Sequence, residues 1–478
     1  MKYLFASTLM WLLSSAGVRG QSFAQFLSYL NNLPQAERQA VADSFMTANP
    51  QLPYLEGDTL AVYIYKGNAQ SVTVPGDANN WNQSSDGMSH LAGTDFWYRQ
   101  EVYESDARLD YKFVLNNSSW ILDPHNPHTC TGGFGPNSEL RMPQYVPPPE
   151  TAYYDTLPHG SLFDTVFNST WLGNSRVVKV YLPGDYSTGN DSYPIMLFHD
   201  GLEYLSLANA KNVLDYAIGT KEIEPLIAIF VPPVNRTAEY AGDLSDEFAH
   251  FIVDEVMAWA VTRFRIEADP QRHATGGASY GANISLYLGL NHPEVFGCVA
   301  AWSAYVDPAI SSAFQNGPVL DLRIVLDVGT YDITELIPMV RDFRDILLQK
   351  QYPLDYHEYH EGHSWGNWKA HIDDALQFFF PLTGDVPGHV HDKRTCDLQI
   401  FPNPSAGQAT ARISVPAGEP FTLRLSGLGG SPLQTLNRGV SNGNPAEVRF
   451  DLAGYPAGCY LLELESGGKK TVRTLVVR

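Results

Sequence analysis

Gly277-Ala278-Ser279-Tyr280-Gly281 is a G-x-S-x-G pentapeptide lying where a strand ends and a helix begins. Arg272-His273-Ala274-Thr275-Gly276 before it reads as the end of a short strand. Ala282-Asn283-Ile284-Ser285-Leu286-Tyr287-Leu288-Gly289-Leu290 after it reads as a helix that stops before Pro293. A serine in such a turn is strained, and its hydroxyl is pushed out above the sheet. The flanking glycines let the turn close without Cβ clashes. The helix N-terminus behind it favours developing negative charge. This is the setting of a nucleophilic serine. The bland alternative, for the pentapeptide alone, is a glycine-rich turn.

The chain downstream supplies an acid and then a histidine, the order in which a serine on such a turn finds its partners. Leu322-Arg323-Ile324-Val325-Leu326-Asp327-Val328-Gly329 reads as a buried strand running into Thr330-Tyr331-Asp332. Asp332 lies past the glycine, where a loop can lean over the sheet edge, and is the expected acid; Asp327, inside the apolar run, is the second choice. Leu354-Asp355-Tyr356-His357-Glu358-Tyr359-His360 alternates like a strand, and Glu361-Gly362-His363-Ser364-Trp365-Gly366-Asn367-Trp368 breaks it ahead of a helix expected near Trp368. His363 is the expected base, whereas His357 and His360 belong to the strand. The oxyanion of an acyl-transfer intermediate needs backbone donors. One is expected from the Tyr280 amide. The strand Tyr193–His199 ends in Asp200-Gly201, which makes the Leu202 amide the second.

Several ordered motifs carry a resemblance across about residues 150–382. They are His199-Asp200-Gly201, Val231-Pro232-Pro233 with Arg236 and Glu239-Tyr240, the serine pentapeptide, Asn291-His292-Pro293-Glu294-Val295-Phe296-Gly297, Gly329-Thr330-Tyr331-Asp332, and Gly362-His363-Ser364-Trp365 with Trp368. This segment resembles the enterochelin-esterase and feruloyl-esterase type of α/β-hydrolase. The resemblance implies an α/β fold, with a mostly parallel sheet covered by helices on both faces. It also implies hydrolysis of carboxylic esters or lactones through an acyl-enzyme, with no metal or organic cofactor. One departure is Ala282, where a second glycine often follows the nucleophile's turn; its methyl group narrows that side of the site but leaves the expected Ser279, Asp332 and His363 set intact.

Composition fits an exported enzyme. The chain has 478 residues, 44% of them hydrophobic, enough for more than one core. A formal net charge of -21 disfavours nucleic acid and anionic membrane surfaces as partners. Met1-Lys2-Tyr3, an apolar run from Leu4 to about Leu13 and the small residues up to Gly20 read as a secretory signal, residues 1–20, cut ahead of Gln21. The run is too short to span a membrane well, and no other is long enough. Cys130, Cys298, Cys396 and Cys459 show no C-x-x-C spacing. Export permits two disulfides, but Cys298 sits in an apolar strand where a free thiol fits equally well, and the connectivity stays open.

Residues 21–145 begin with an amphipathic helical stretch, Phe23 to about Pro50. Short strands follow at Thr59–Tyr65, Ser71–Val74, Phe96–Val102 and Leu109–Leu115, a spacing that suggests a β-sandwich. Gly76-Asp77-Ala78-Asn79-Asn80-Trp81 and Asp123-Pro124-His125-Asn126-Pro127 resemble the early-set, immunoglobulin-like domain found ahead of glycogen-branching enzymes and some esterases. In that family the domain sometimes binds carbohydrate; Trp81 reads as a core or turn residue before it reads as a sugar platform. Met142–Pro149 is a proline-rich linker and 383–396 a second one. Leu398-Gln399-Ile400-Phe401-Pro402-Asn403-Pro404, Ala457-Gly458-Cys459-Tyr460 and the basic last strand Lys470–Arg478 resemble the C-terminal sorting domain of type IX secretion, residues 397–478. That resemblance implies the type IX machinery as a partner and a place outside the cell or on its outer surface. The alternative is a generic β-sandwich accessory module; either way an immunoglobulin-like β-sandwich is expected at each end of the hydrolase segment.

Four residues are expected around the substrate: Glu203, Arg236, Glu239 and Trp365. Glu203 and Tyr204 follow the oxyanion loop. Arg236 and Glu239 could hold an anionic or catechol-like group, or form an internal ion pair. Trp365 is nearest the base and could stack on an aromatic acyl group or a sugar. The expected substrates are feruloyl or acetyl esters of polysaccharide, with a catechol siderophore trilactone second. Acyl transfer to a sugar would use the same triad. A non-catalytic carbohydrate-binding protein would not need it.

Overall fold

The computed structural model describes residues 22–382 and most of 397–477, leaving out 402–404, 406, 416–417, 428–431, 442–445, 457 and 467–468. The expected signal, 1–20, and linker, 383–396, lie outside the described residues. The chain forms two compact units, Met1–Val386 and Pro387–Arg478.

The first unit opens with α1 (Phe23–Asn32) and α2 (Gln35–Ala48), divided at Pro34, which cannot donate a helical hydrogen bond. Ten short strands follow: β1 (Tyr54–Glu56), β2 (Leu60–Lys66), β3 (Val72–Thr73), β4 (Ser89–His90), β5 (Phe96–Val102), β6 (Arg108–Tyr111), β7 (Phe113–Leu115), β8 (Ser119–Ile121), β9 (Thr129–Gly132) and β10 (Gly135–Arg141). Phe23, Phe26, Phe45 and Leu30 of the two helices pack on Val62, Ile64 and Phe96. The stretch Leu109–Leu115, expected as one strand, is two. The Lys112 amide leaves the ladder to bond Pro75 O at 2.9 Å, so β6 pairs with β10 while β7 pairs with β3 and β8.

The second part of this unit runs β11 (Ser161–Asn168), β12 (Ser175–Leu182), β13 (Ile195–His199), α3 (Gly201–Ser206), α4 (Ala210–Gly219), β14 (Ile227–Val231), α5 (Arg236–Ala241), α6 (Ser245–His250), a π-helical stretch Phe251–Met257 and α7 (Ala258–Arg263). It continues with β15 (His273–Ala278), α8 (Tyr280–Asn291), β16 (Cys298–Trp302), α9 (Pro308–Asn316), β17 (Arg323–Tyr331), α10 (Leu336–Gln349), β18 (Leu354–Gly362), α11 (Trp365–Lys369) and α12 (Ile372–Phe379). Among the described residues the strands join in an eleven-stranded mixed sheet, ordered β11-β12-β14-β13-β15-β16-β17-β18-β6-β10-β9. The run from β14 to β18 is parallel, and β11 and β12 are antiparallel. The sheet does not end at the expected Met142–Pro149 boundary: Glu361 at the end of β18 pairs in parallel with Arg108 of β6.

Continuous apolar strands are what a parallel sheet covered on both faces requires. β13, β14 and β16 are buried at every position. On one face Phe198, Phe230 and Trp302 meet Leu214 of α4 and Leu376 and Phe379 of α12. On the other, Leu197 and Ile229 meet Phe248, Ile252 and Leu288. Leu326 packs there with Phe343 and Leu347 of α10. No helix among the described residues is long and apolar enough to cross a membrane.

The second unit holds two antiparallel sheets, β19 (Asp397–Phe401) with β20 (Gln408–Ser414) and β23 (Ala446–Asp451), and β22 (Pro432–Val440), β21 (Pro420–Gly427), β24 (Gly458–Ser466) and β25 (Lys469–Val477) in that order. Leu398, Ile413, Leu425, Leu462, Leu464 and Leu475 share one core. In the first unit Cys130 and Cys298 are free and buried. Cys298 accepts a hydrogen bond from Arg323 Nη2 at 3.1 Å, and burial pushes its thiol pKa up to about 11. Cys396 lies outside the described residues.

Candidate active site

The parallel strands β13, β15, β16, β17 and β18 are neighbours, so the loops leaving their C-terminal ends converge on one edge of the sheet. Ser279 lies between β15 and α8 with φ 58° and ψ −118°. A non-glycine residue there is strained by about 1–3 kcal/mol. The turn is tight: a Cβ on Gly277 would come within 2.7 Å of the Gly281 backbone. Ser279 N donates to Trp302 O at 3.0 Å, which ties the turn to the end of β16. The Ser279 side chain is half-buried.

Asp332 follows directly on β17, and His363 directly on β18. His363 Nδ1 and Asp332 Oδ1 are 2.7 Å apart, with the carboxylate fully buried and the imidazole one-fifth exposed. Asp332 Oδ1 also accepts from Ile333 N at 2.7 Å. Trp368 stands edge-on to the His363 ring, 5.0 Å between centroids, and its Nε1 donates to Ser303 Oγ at 3.0 Å. Ser303 follows Trp302, so one chain of contacts runs from the serine turn through β16 to the imidazole. Asp327, the second-choice acid, lies within β17 and accepts from Ser303 N at 2.8 Å; burial raises its pKa to about 7. His357 pairs with Asp355 at 2.9 Å and His360 with Asp106 at 2.7 Å, both away from Asp332. The helix expected near Trp368 begins earlier, at Trp365, capped by the Ser364 side chain.

Leu202 and Tyr280 open α3 and α8, where amides have no preceding helical turn to satisfy. Asp200 sets up the first of these. It is left-handed (φ 53°), buried, and its amide donates to Tyr240 Oη at 2.9 Å. Its carboxylate takes both arms of Arg236, Nε and Nη2, at 2.8 Å each, and Nη2 also donates to Ala278 O at 3.0 Å. One guanidinium thus fastens the α3 loop to the residue before Ser279. Burial raises the Asp200 pKa, and Arg236 opposes that rise.

The four expected substrate contacts divide. Glu203 and Trp365 are half-buried beside the site. Burial raises the Glu203 carboxyl, whose Oε2 has no hydrogen-bond partner. Trp365 stands edge-on to Tyr204 at 5.1 Å and to Trp368 at 5.0 Å, while Tyr280 meets Tyr305 at 5.1 Å. Glu239 is a correction: it is fully buried and cannot face a substrate. Its oxygens accept from Arg176 at 2.8 and 3.0 Å and from the Val234 and Asn235 amides. Arg236 is likewise committed to Asp200 rather than to Glu239 or a free site. Arg176, sixty-three residues before its partner, gave no sequence signal. Trp302 and Ser303 were also unreadable as site residues, because their part is played by backbone groups and a hydroxyl at the end of an apolar strand.

The mixed sheet with helices on both faces is an α/β-hydrolase-type architecture. Residues 169–379 match the model of the "Putative esterase" family, and residues 399–478 match the secretion system C-terminal sorting domain. The chain is similar to the iron(III) enterobactin esterase of Escherichia coli O6:H1, 24% identical over 340 residues, which cover 62% of this chain and 82% of that one. It is also similar to the uncharacterized protein YjcH of Bacillus subtilis, 25% identical over 46% of this chain and 97% of YjcH. Among solved structures, the enterobactin esterase of Shigella flexneri superposes with a TM-score of 0.60 at 20% identity, over 70% of this chain and 97% of that one. The chain therefore carries a carboxylic ester hydrolase domain of the esterase family and a type IX secretion tail, which directs it outside the cell or to its surface.

Proposed function

We propose that the protein is a serine esterase working through an acyl-enzyme, with Ser279 as nucleophile, His363 as base and Asp332 as the acid that orients it. The observation that carries this reading is the 2.7 Å contact between His363 Nδ1 and buried Asp332, on the same edge of the sheet as a serine in a strained strand-to-helix turn. Ser279 Oγ attacks the ester carbonyl carbon while His363 Nε2 takes its proton. Asp332 accepts from Nδ1–H and stabilises the imidazolium. The Leu202 and Tyr280 amides receive the oxyanion. As the tetrahedral intermediate collapses, His363 returns the proton to the leaving alcohol. Water, deprotonated by the same imidazole, then releases the acid and regenerates Ser279.

For the substrate, the partly exposed rings of Trp365, Tyr280 and Tyr305 favour a feruloyl-type aryl ester, and export to the cell surface favours one carried on polysaccharide. A catechol trilactone is the second reading, favoured by the likeness to enterobactin esterases, which covers 62% of this chain in sequence and 70% in structure. An iron-loaded tris-catecholate is anionic, however. The chain carries -21, and Arg236, the cation expected to hold such a ligand, is paired with Asp200. The reading of 21–145 as an early-set immunoglobulin-like domain and of 397–478 as a second β-sandwich belongs to the same proposal.

The test is hydrolysis of p-nitrophenyl acetate, methyl ferulate, feruloylated and acetylated xylan and a catechol trilactone by the full chain, beside Ser279→Ala. Loss of a triad nucleophile costs on the order of 10⁶ in kcat. Turnover of a ferulate by wild type alone supports the reading. Equal rates for the two proteins on every ester overturn it.

A further inference from the structure

Both loops of the Asp332–His363 pair are gripped by residues of the strand-rich leader, outside the segment that matches the esterase family. On the acid side, Asn80 Nδ2 donates to Thr334 Oγ1 at 2.6 Å, and Thr334 N donates back to Asn80 Oδ1 at 3.3 Å. Tyr331 Oη donates to Glu104 at 2.6 Å. These are the residue before Asp332 and the second after it. On the base side, Arg108 Nη1 donates to Ser364 Oγ at 2.9 Å, and Arg108 pairs through its backbone with Glu361.

The sequence Gly362-His363-Ser364-Trp365-Gly366 is cleared for this contact. A Cβ on Gly362 would overlap the Asp77 carboxylate, and one on Gly366 would overlap the Arg108 guanidinium. Neither gripping group is free to shift. Arg108 is fully buried, with Asp110 and Glu139 each at 2.6 Å. Asp77 accepts from the Asp110 amide at 2.7 Å and from Trp81 Nε1 at 3.0 Å. Asn80 and Trp81 themselves have positive φ, 52° and 58°, so the turn that delivers Asn80 is held in a costly conformation.

We infer that the leader is a working part of the esterase, in which Arg108 and Asn80 are positioning residues that hold His363 and Asp332 in register. This rests on the triad proposed above. Acid and base leave the sheet on separate loops. A displacement of about 1 Å between reacting groups costs on the order of 10²-fold in rate.

The experiment compares full-length wild type, Asn80→Ala, Asn80→Asp, Arg108→Lys and Ser279→Ala. It measures kcat and KM on p-nitrophenyl acetate, the rate of labelling by a fluorophosphonate, and Tm. Arg108→Lys keeps the charge but cannot span three partners at once, and its kcat falls about tenfold; Asn80→Ala, at an exposed position, loses about threefold. Labelling slows in parallel and KM is unchanged, because neither residue touches substrate. Asn80→Asp, which still accepts from Thr334, restores the rate. The inference is overturned if Arg108→Lys and Asn80→Ala lower only Tm and leave kcat and labelling at wild-type values. Should Arg108→Lys not fold, Asn80→Ala and Tyr331→Phe decide the matter by the same readouts. A Ser279→Ala protein as fast as wild type would instead sink the triad itself.

Discussion

Replacing Arg236 by Gln separates a clamp from a substrate contact. Arg236 spans Asp200 and Ala278 O, with Asp200 at 6% side-chain exposure and Arg236 at 37%. Breaking a fully buried pair costs about 3–5 kcal/mol, and an exposed pair is worth about 0.2–1 kcal/mol. With one partner buried and the other a third exposed, a loss of about 2 kcal/mol is expected. In a unit of this size that lowers Tm by roughly 3 °C. The deficit must also depend on pH. Arg236 favours ionised Asp200, so the pair contributes only where that carboxylate is charged. The gap between wild type and variant therefore shrinks as the solution is acidified toward the ordinary carboxylate range and widens above it. Catalysis is hit separately. The Leu202 amide lies two residues beyond Asp200, and Ala278 precedes Ser279, so both proposed oxyanion donors lose a common anchor. Deleting one such donor costs about 10²–10³ in kcat; loosening both should cost about ten- to a hundredfold. The assay is steady-state hydrolysis of p-nitrophenyl acetate with thermal melts at several pH values, closed as a cycle with Asp200→Asn, whose effect should be largely shared. An unchanged kcat and Tm, with KM alone raised, would refute the clamp and return Arg236 to the substrate.

Asp332→Asn should retain the fold while kcat drops by about 10⁴, because the imidazole is left in the wrong tautomer; stopped-time hydrolysis of the ester panel measures it. Glu239→Gln strips a buried charge from Arg176 and should cost about 3–5 kcal/mol of stability, seen as a fall in denaturant midpoint with KM unchanged for the protein that remains folded. Trp365→Ala should lower kcat/KM for methyl ferulate by about tenfold or more, and for p-nitrophenyl acetate far less, since the ferulate has an aryl acyl group to set against the indole and the acetate does not. His371 supplies a pH signature. Burial would lower its pKa, but its hydrogen bonds to Asp374 and Glu361 raise it to about 10. A histidine raised in the folded state stabilises fully below its unfolded value of about 6.5 and loses that contribution as pH rises through about 10. Wild-type stability should decline across that window, and His371→Gln should show a flatter decline in melts from pH 6 to 10.

The elements that could be read directly were those governed by local pattern. The serine turn, the apolar runs of β13, β16 and β17, and the helix ending before Pro293 follow from residue types a few positions apart. The places of Asp332 and His363, just past strand ends, were legible for the same reason. Pairings set by distant chain were not. Glu239 looked like a partner for Arg236 because they are three residues apart, yet Arg176 takes one and Asp200 the other. Nothing local reports that β12 brings Arg176 alongside. The split of Leu109–Leu115 had the same origin: an unbroken alternating stretch divides because Pro75 claims one amide. A boundary drawn at the proline-rich Met142–Pro149 stretch likewise hid the continuation of the sheet through β6.

That continuation changes how the Gly-His-Ser-Trp-Gly stretch is understood. Read alone, its glycines look like hinges around a base. In the fold they are clearances, one for Asp77 and one for Arg108. A hinge would let His363 move away from Asp332, whereas a clearance filled by a buried, doubly paired guanidinium stops it from moving. The two readings differ in what alanine does. At a hinge, Gly366→Ala would slow motion and leave the resting geometry alone. At a clearance, it must displace Arg108 from Asp110 and Glu139 or push α11 outward, since the methyl has no other space. Either response disturbs Ser364 and, with it, the residue next to the imidazole. The position of His363 is therefore set as much by the strand that arrives from the leader as by the one that carries it.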